Sequence, residues 1–172
     1  MRKVTYGAAC SLDLFIAGKN GEVNWLVWSD DVSKFMAEFW PTIDTILMGR
    51  KTYEDAMKRG GGPEMPGVTT YIFSRTLKEA PGATIVSEDA GGFVRRLKAQ
   101  PGKGICVMGG GELAKSLFEA DVIDEYGLNI HPVLLGSGIP LLPPINRQVN
   151  LELISSQIIG GGCLLTTYRV KR

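Results

Sequence analysis

Residues 104–115 read Gly-Ile-Cys-Val-Met-Gly-Gly-Gly-Glu-Leu-Ala-Lys, an apolar run that ends in three glycines and leads directly into a helix-like segment. Consecutive glycines let backbone N–H groups approach an anion without hindrance from Cβ atoms. The free amides and the dipole at the start of the following helix favour negative charge. The pattern predicts a phosphate cradle for a nucleotide cofactor. The alternative is that Gly109, Gly110 and Gly111 only make a tight turn between a strand and a helix.

The composition is that of an ordinary folded protein. The chain has 172 residues, 44% of them hydrophobic and 22% charged, which suits one domain with a proper core. Nineteen basic and eighteen acidic side chains leave a formal net charge of +1. This balance gives no broad electrostatic surface for nucleic acid or an anionic membrane, so we expect a small-molecule partner. We expect residues 1–172 to form a single domain.

Cysteine and histidine usage excludes several kinds of site. Cys10, Cys106 and Cys163 are far apart and lie in apolar sequence, which indicates reduced, packed thiols and no metal site. The single histidine, His131, excludes mechanisms that need two imidazoles, and we expect it to be structural. The N-terminus has no hydrophobic signal core, and no apolar stretch is long enough to span a bilayer. We therefore expect a cytoplasmic protein.

Hydrophobic periodicity predicts strands and helices that alternate through the first 120 residues, followed by strands alone. The predicted strands are 3–10, Asp44–Met48, Thr69–Phe73, Thr84–Val86, Ile105–Met108, Glu125–Ile130, Leu151–Ile159 and Leu164–Val170. The predicted helices are Asp30–Trp40, with Ser29 or Asp30 as its N-cap, a short one after Arg50, Glu88–Ala99 and Glu112–Ala120. Together they indicate an α/β fold with a mixed sheet, helices on both faces, and a C-terminal hairpin through Gly160–Gly162.

Three stretches in a fixed order resemble the dihydrofolate reductase superfamily. They are Ile46-Leu47-Met48-Gly49-Arg50-Lys51-Thr52-Tyr53-Glu54, then Met65-Pro66-Gly67 leading to Ile72-Phe73-Ser74-Arg75, and then Val107-Met108-Gly109-Gly110-Gly111. Two further stretches resemble the reductase domain of the bifunctional riboflavin-biosynthesis deaminase–reductase and its stand-alone relatives. They are Ser11-Leu12-Asp13 with Ile16-Ala17-Gly18, and Pro132 to Leu141. The resemblance implies a three-layer dihydrofolate reductase-like fold with a mainly parallel sheet, and a homodimer.

The resemblance implies NADPH as the cofactor. Gly49 would end a strand, and Arg50, Lys51 and Thr52 would start a helix whose amides face the pyrophosphate. The two cations would meet the extra phosphate on the adenosine ribose, which favours NADPH over NADH. The full set of implied cofactor-binding residues is Ile16, Gly49, Arg50, Lys51, Thr52, Ser74, Arg75, Met108, Gly109, Gly110, Gly111, Glu112 and Leu113. The alternative for Gly49–Glu54 is a solvated helix start with surface charges.

The catalytic candidates are two carboxylates. Asp31 matches the superfamily position that holds and helps protonate a pterin, a role that suits a partly buried acid with a raised pKa. It could equally be an acid that interacts with the dipole of its helix. Asp13 is the second candidate, and a turn or a cap is its structural alternative. Phe35 is either a ring that packs on the substrate or part of the core.

Departures from the two families limit the substrate. Val68 stands where the folate enzyme has an arginine that clamps the glutamate tail, and valine cannot form that pair. Leu128 replaces a threonine expected to help bind the pterin, and Ala114 replaces an aromatic residue. Leu14 stands where the riboflavin family usually has glycine. The zinc deaminase half, with its His-x-Glu and Pro-Cys-x-x-Cys ligands, is absent from these residues.

The leading hypothesis is an NADPH-dependent reductase that acts on 5-amino-6-(5-phosphoribosylamino)uracil or a similar pyrimidine. Asp31 or an ordered water would manage the proton, and the protein would position the nicotinamide against the substrate. One alternative is dihydrofolate reductase activity, against which Val68 argues. Another is a non-catalytic module that binds NADPH without turnover.

Overall fold

The computed structural model describes residues 1–172 and contains ten strands and four helices. The strands are β1 (Val4–Ser11), β2 (Phe15–Ala17), β3 (Ile43–Gly49), β4 (Thr69–Phe73), β5 (Thr84–Val86), β6 (Gly104–Met108), β7 (Glu125–His131), β8 (Ile139–Pro140), β9 (Leu151–Ile159) and β10 (Cys163–Val170). The helices are α1 (Asp30–Phe39), α2 (Arg50–Lys58), α3 (Ala90–Ala99) and α4 (Gly111–Glu119).

Eight strands form one sheet in the order β5-β4-β3-β6-β1-β7-β10-β9. All neighbouring pairs are parallel except β7 with β10 and β10 with β9. The predicted α/β class, the mainly parallel sheet and the antiparallel C-terminal hairpin are confirmed. The sequence analysis missed β2 and β8, which form a separate two-stranded antiparallel sheet. Strands of two or three residues are too short to show a hydrophobic period.

Helices cover the two faces of the sheet, because alternate strand residues point to opposite sides. On the first face, α3 and α4 pack over the larger hydrophobic cluster, which includes Tyr6, Leu47 and Leu128. On the second face, Phe39 of α1 and Tyr53 of α2 pack with Ile46, Met48 and Cys106. The three cysteines are buried and free, as expected. None of the helices has the length and apolar character needed to cross a membrane.

Two helices begin with side-chain caps that the sequence signals. The Ser29 hydroxyl accepts a hydrogen bond from the Val32 N–H at 3.3 Å, so Ser29 rather than Asp30 caps α1. The Asp89 carboxylate accepts from the Gly92 N–H at 2.6 Å and caps α3. Each cap satisfies one of the free N–H groups in the first helical turn.

The edge of the sheet at which the parallel strands begin, here called the amino edge, is held by paired charges. The Arg2 guanidinium contacts the Asp44 carboxylate, and both groups are largely buried. The Lys98 ammonium lies 2.6 Å from the Asp124 carboxylate, which also accepts hydrogen bonds from the Val4 N–H at 2.9 Å and from Arg172 at 2.9 Å. These contacts join the starts of β1, β3 and β7 to the end of α3.

Candidate functional site

The opposite edge of the sheet, here called the carboxyl edge, brings two uncapped helix starts together. Helix α2 begins after Gly49 and α4 after Gly110, and neither residue supplies a side-chain hydrogen bond to the helix. A Cβ atom placed on Gly110 would lie 3.4 Å from the Gly49 nitrogen and 3.3 Å from Thr52 Oγ1. The free N–H groups of both first turns therefore lie around one point of the carboxyl edge.

A cleft of about 1100 Å³ opens at this point, between the ends of β3, β4 and β6 and the segment around β2. Twelve of the thirteen predicted cofactor residues line it: Ile16, Gly49, Arg50, Lys51, Thr52, Ser74, Arg75, Gly109, Gly110, Gly111, Glu112 and Leu113. Met108 is the exception, because its side chain packs in the hydrophobic cluster of the second face. The contribution of Met108 to cofactor binding therefore stays a prediction, and its side chain is not one of those that line the cleft.

Five cations and five carboxylates line the cleft, and three of the cations belong to the predicted cofactor site. Arg50 forms an ion pair with Glu54 at 3.0 Å within α2. Lys51 and Arg75 line the cleft and take part in none of the ion pairs of the chain. Ser74 uses its hydroxyl to accept hydrogen bonds from two N–H groups of its own turn, at 3.2 and 2.9 Å. Its side chain thus holds the loop that carries Arg75.

The glycine turn fits a diphosphate. Gly109 has φ +63° and Gly110 has φ +80°, a left-handed conformation that side chains rarely adopt. A Cβ atom on Gly109 would lie 3.1 Å from Thr52 Cγ2, so a side chain there would crowd Thr52. Backbone amides and the dipoles of two helices meet at this turn, and unpaired cations line the same cleft, a donor set that suits a dinucleotide pyrophosphate.

Asp31 and Phe35 lie apart from the large cleft. Both line a second cleft of about 230 Å³ between α1 and the end of β9. Asp31 is exposed, and its carboxylate accepts a hydrogen bond from the Gly160 N–H at 2.8 Å. The expectation of a partly buried acid is therefore wrong. Phe35 stacks on Phe39 with ring centroids 5.8 Å apart, so its ring is partly committed to its own helix.

Asp13 holds two turns together and lines neither cleft. Its carboxylate accepts hydrogen bonds from the N–H groups of Leu135 at 3.1 Å and Gly136 at 2.7 Å. The Ser11 hydroxyl and these amides hold the pKa of Asp13 below its usual range. Such a carboxyl group is a good acceptor and a poor proton donor. These contacts match the turn-forming alternative.

Leu14 has a backbone conformation that explains why glycine is usual at this position. Its φ is +63°, its N–H donates to the Ser11 carbonyl at 3.0 Å, and its carbonyl accepts from the Leu141 N–H at 2.9 Å. The left-handed conformation costs a side-chain-bearing residue about 1 kcal/mol. The chain thus keeps the turn, although a leucine is strained in this backbone conformation.

Two buried polar groups on β7 were missed as site candidates. The Oδ1 atom of Asn129 and the Nε2 atom of His131 are buried and have no hydrogen-bond partner. These residues are two apart on the strand, so both face the second face, whereas Leu128 is buried on the first face. The presence of Leu128 in place of a pterin-binding threonine therefore does not describe the surface of the sheet that faces α1, because Leu128 points to the other side. The alternation along β7 was the signal that could have shown this.

The chain resembles known proteins over nearly its whole length. The sequence profile of the RibD C-terminal domain matches residues 2–165. YyaP of Bacillus subtilis, which has no assigned function, is 32% identical over 97% of this chain and 94% of its own length. YwjB of the same organism, also without an assigned function, is 33% identical over 92% of this chain and 93% of its own length.

Solved structures share the fold. A provisionally named riboflavin biosynthesis protein from Shewanella sp. PV-4 superposes with a TM-score of 0.87 at 24% identity, covering 99% of both chains. The Thermotoga maritima diaminohydroxyphosphoribosylaminopyrimidine deaminase/5-amino-6-(5-phosphoribosylamino)uracil reductase gives 0.73 at 14% identity, and the match covers 99% of this chain but only 57% of that one. Dihydrofolate reductase from Enterococcus faecalis, in complex with NADP(H), gives 0.71 at 21% identity, covering 99% and 97%.

Proposed function

Because this chain belongs to the RibD C-terminal domain family, we propose that it is an NADPH-dependent reductase of the 5-amino-6-(5-phosphoribosylamino)uracil reductase type. We infer that residues 1–172 form one domain, that the enzyme is cytoplasmic, and that it acts as a homodimer on a small molecule. The Thermotoga maritima relative that shares the fold carries this reductase activity in its name. The fold shared with an NADP(H)-bound dihydrofolate reductase supports the cofactor.

The observation that carries the proposal is the convergence of the two uncapped helices on one cleft. A Cβ atom on Gly110 would meet atoms of both Gly49 and Thr52, so the starts of α2 and α4 can contact the same ligand group. Helices α1 and α3, which start elsewhere, are both capped by side chains. Free amides from two helices at one point favour a doubly charged bridge such as a pyrophosphate.

The cations of the cleft would bind the additional phosphate of NADPH. Lys51 and Arg75 line the cleft without ion pairs and would hold the additional phosphate of NADPH, while Arg50 contributes with part of its charge engaged by Glu54. The bound nicotinamide would supply a hydride to the substrate. Ile16 and Leu113 are apolar residues at the cleft and would exclude water there.

The reduction also needs a proton donor close to the substrate. Asp31 stays the first catalytic candidate, as the proton donor directly or through water. Asp13 stays the second, acting through the turns that its carboxylate holds rather than as a proton donor. Asp31 is exposed, and the Gly160 N–H holds its carboxylate at the smaller cleft. It can therefore act on a substrate only if part of that substrate enters the smaller cleft. Asp31→Asn keeps an oxygen that can accept the hydrogen bond from Gly160 and removes the ionisable carboxyl group. We expect it to lower kcat and to leave the Kd for NADPH unchanged.

The decisive experiment measures cofactor binding before turnover. The Kd values for NADPH and NADH are measured by calorimetry, and NADPH oxidation is then followed by absorbance with 5-amino-6-(5-phosphoribosylamino)uracil and with dihydrofolate. Tight NADPH binding with turnover of the uracil alone supports the proposal. Turnover of dihydrofolate would establish the folate alternative and overturn the reading of Val68. Binding without turnover of either would favour a non-catalytic module, and absence of NADPH binding would refute the cofactor site.

A further inference from the structure

The segment that follows β2 forms part of the wall of the large cleft. We call residues 18–23 the strap, because they lead directly out of β2 and along the cleft. The strap residues that line the cleft are Lys19, Asn20, Gly21 and Val23. Asp55 and Lys58, near the end of α2, line the same cleft. The strap and the end of α2 are therefore two parts of the wall around the cofactor site.

Residues 18–22 of the strap form a compact turn. The Gly21 N–H donates to the Gly18 carbonyl at 3.1 Å, and the Gly18 N–H donates to the Glu22 carbonyl at 2.9 Å. The Glu22 carboxylate accepts hydrogen bonds from the Asn20 N–H at 3.0 Å and from its Nδ2 at 2.8 Å. Gly21 has φ +86°, which glycine adopts without strain. Because these hydrogen bonds lie within the turn, it can move as one unit.

The two ends of the strap are held by other parts of the fold. Before it, Ala17 of β2 pairs with Ile139 of β8, and a Cβ atom on Gly138 would clash with the Ala17 carbonyl oxygen. After it, the Trp25 ring packs edge-on against the His131 ring, with centroids 5.3 Å apart. The middle of the strap is therefore the part whose position depends on its contact with α2.

A single arginine makes that contact. Arg59 follows the last residue of α2, and its Nη2 donates to the Gly21 carbonyl at 2.8 Å. Its Nε donates to Asp55 Oδ2 at 2.8 Å, one helical turn earlier, which orients the guanidinium toward the strap. No other hydrogen bond joins the strap to α2. Because the contact is exposed, it adds little to the stability of the whole fold.

We propose that Arg59 holds the strap against α2 while the cofactor is bound, so that release of the cofactor requires the Arg59–Gly21 contact to break. This inference rests on the proposed function, because it takes the large cleft as the cofactor site. Arg59 itself does not line the cleft, so it is a positioning residue that acts through the strap. Lys19 and Val23 would move away from the cofactor together when the contact breaks. Opening of the strap then limits the rate of cofactor dissociation.

The first measurement is hydrogen exchange in the free protein, followed by mass spectrometry for the wild type, Arg59→Met and Arg95→Met. Methionine keeps an unbranched apolar side chain and removes the guanidinium. Arg95→Met is the matched control, because Arg95 is also exposed and donates to a backbone carbonyl, that of Ala120, at 2.8 Å away from the cleft. We expect exchange in residues 18–23 to become about fivefold faster in Arg59→Met only. Thermal unfolding should be nearly unchanged in both variants.

The second measurement is the dissociation rate of NADPH and of NADH, followed by stopped-flow fluorescence. We expect Arg59→Met to raise both rates by the same factor, about fivefold, because the contacts of the strap are lost and not those of the additional phosphate. Arg59→Lys keeps a cation without the planar pair of donors, so its rates should lie between those of the wild type and Arg59→Met. Arg95→Met should leave both rates unchanged.

Four results would overturn the proposal. Unchanged exchange in Arg59→Met would mean that Arg59 does not restrain the strap, and faster exchange with unchanged dissociation would separate the strap from cofactor release. A larger effect on NADPH than on NADH would mean that Arg59 binds the additional phosphate directly. Equal effects of Arg95→Met would show that the change is not specific to the strap.

Failure of the proposed function gives a different result. Absence of NADPH and NADH binding in the wild type would refute the cofactor site. Faster exchange of residues 18–23 in free Arg59→Met would then still establish that Arg59 restrains the strap, because that measurement contains no cofactor. The two failures are therefore distinguishable.

Discussion

The two edges of the large sheet differ in whether their polar groups have partners within the fold. At the amino edge, the charges of Arg2, Asp44, Lys98 and Asp124 are largely buried and all have partners. At the carboxyl edge, two helices begin without caps, and Arg75 lines the cleft without an ion pair. The same strands connect both edges. Paired groups stabilise the fold, whereas unpaired groups in a cleft are free to bind a ligand.

We expect the paired charges of the amino edge to stabilise the fold without contributing to ligand binding. Lys98→Met is the test with the largest expected effect. The substitution keeps the stem of the side chain and removes the ammonium that contacts the Asp124 carboxylate at 2.6 Å. Removing one member of a buried pair should lower the free energy of unfolding by about 3 kcal/mol. Arg96→Met is the control, because Arg96 lies on the same helix in an exposed pair with Glu88. Denaturant unfolding measures both, and an equal loss in the two variants would contradict the assignment.

The same buried pair should give the amino edge a dependence on pH. Burial alone would raise the pKa of Asp124, but the hydrogen bonds from Lys98, the Val4 N–H and Arg172 outweigh it and lower the pKa from 3.8. A carboxyl group with a lowered pKa stabilises the fold above its ordinary pKa and loses this contribution as the pH falls. The difference in unfolding free energy between wild type and Asp124→Asn should therefore narrow below about pH 4. A constant difference down to pH 2 would argue against it.

We expect residues of the carboxyl edge to contribute to cofactor binding more than to stability. Gly110→Ala tests this for the glycine turn. The new Cβ atom would enter the space next to Thr52 Oγ1, at 3.3 Å, and would obstruct the proposed phosphate site. We expect the Kd for NADPH to rise roughly 30-fold, or about 2 kcal/mol of binding free energy. Gly136→Ala is the matched control, since Gly136 has φ +70° and open space around it. Both variants carry similar backbone strain, so equal losses of affinity would refute a specific cradle.

Selectivity for NADPH should depend on the unpaired cations at the carboxyl edge. Arg75→Ala removes a cation that no carboxylate neutralises, so we expect the Kd for NADPH to rise about tenfold, near 1.4 kcal/mol, with little change for NADH. Arg50→Ala should act in the same direction with a smaller effect, because Glu54 already engages Arg50. Lys78→Ala, a nearby exposed cation outside the cleft, is the control. Equal losses of affinity for NADPH and NADH would contradict the proposed contacts of Arg75 and Arg50 with the additional phosphate.

The smallest effect concerns strain at the carboxyl edge. Leu14→Gly relieves a φ of +63° and loses only a half-exposed side chain. After the entropic cost of glycine in the unfolded chain, we expect a gain of about 0.5 kcal/mol in unfolding free energy. Leu12→Gly, which relieves no positive φ, should destabilise the protein. Thermal unfolding compares the two, and a loss in Leu14→Gly would show that the leucine side chain makes a necessary contact.

Local sequence patterns identified most of the elements and the cofactor cleft. The glycine turn after β6 and the Gly49–Thr52 segment were predicted because backbone conformation and helix starts depend on near neighbours in sequence. Strand ends moved by one residue, as for β6 and β7, because pairing partners determine where a strand stops. The substrate side was less predictable. Whether Asp31 is buried depends on the distance between α1 and the turn at Gly160, which no local pattern contains.

The sequence by itself determined the α/β class, the order of the strands along the chain, the two glycine turns and the cations near them. Tertiary structure alone decided that those turns meet, that Met108 points into the core, and that Asp31 lies in a separate cleft with Phe35. It also decided that Arg59 contacts the turn at residues 18–22. The reason is physical: periodicity and turn chemistry act over a few residues, whereas contacts between elements depend on the packing of the whole sheet.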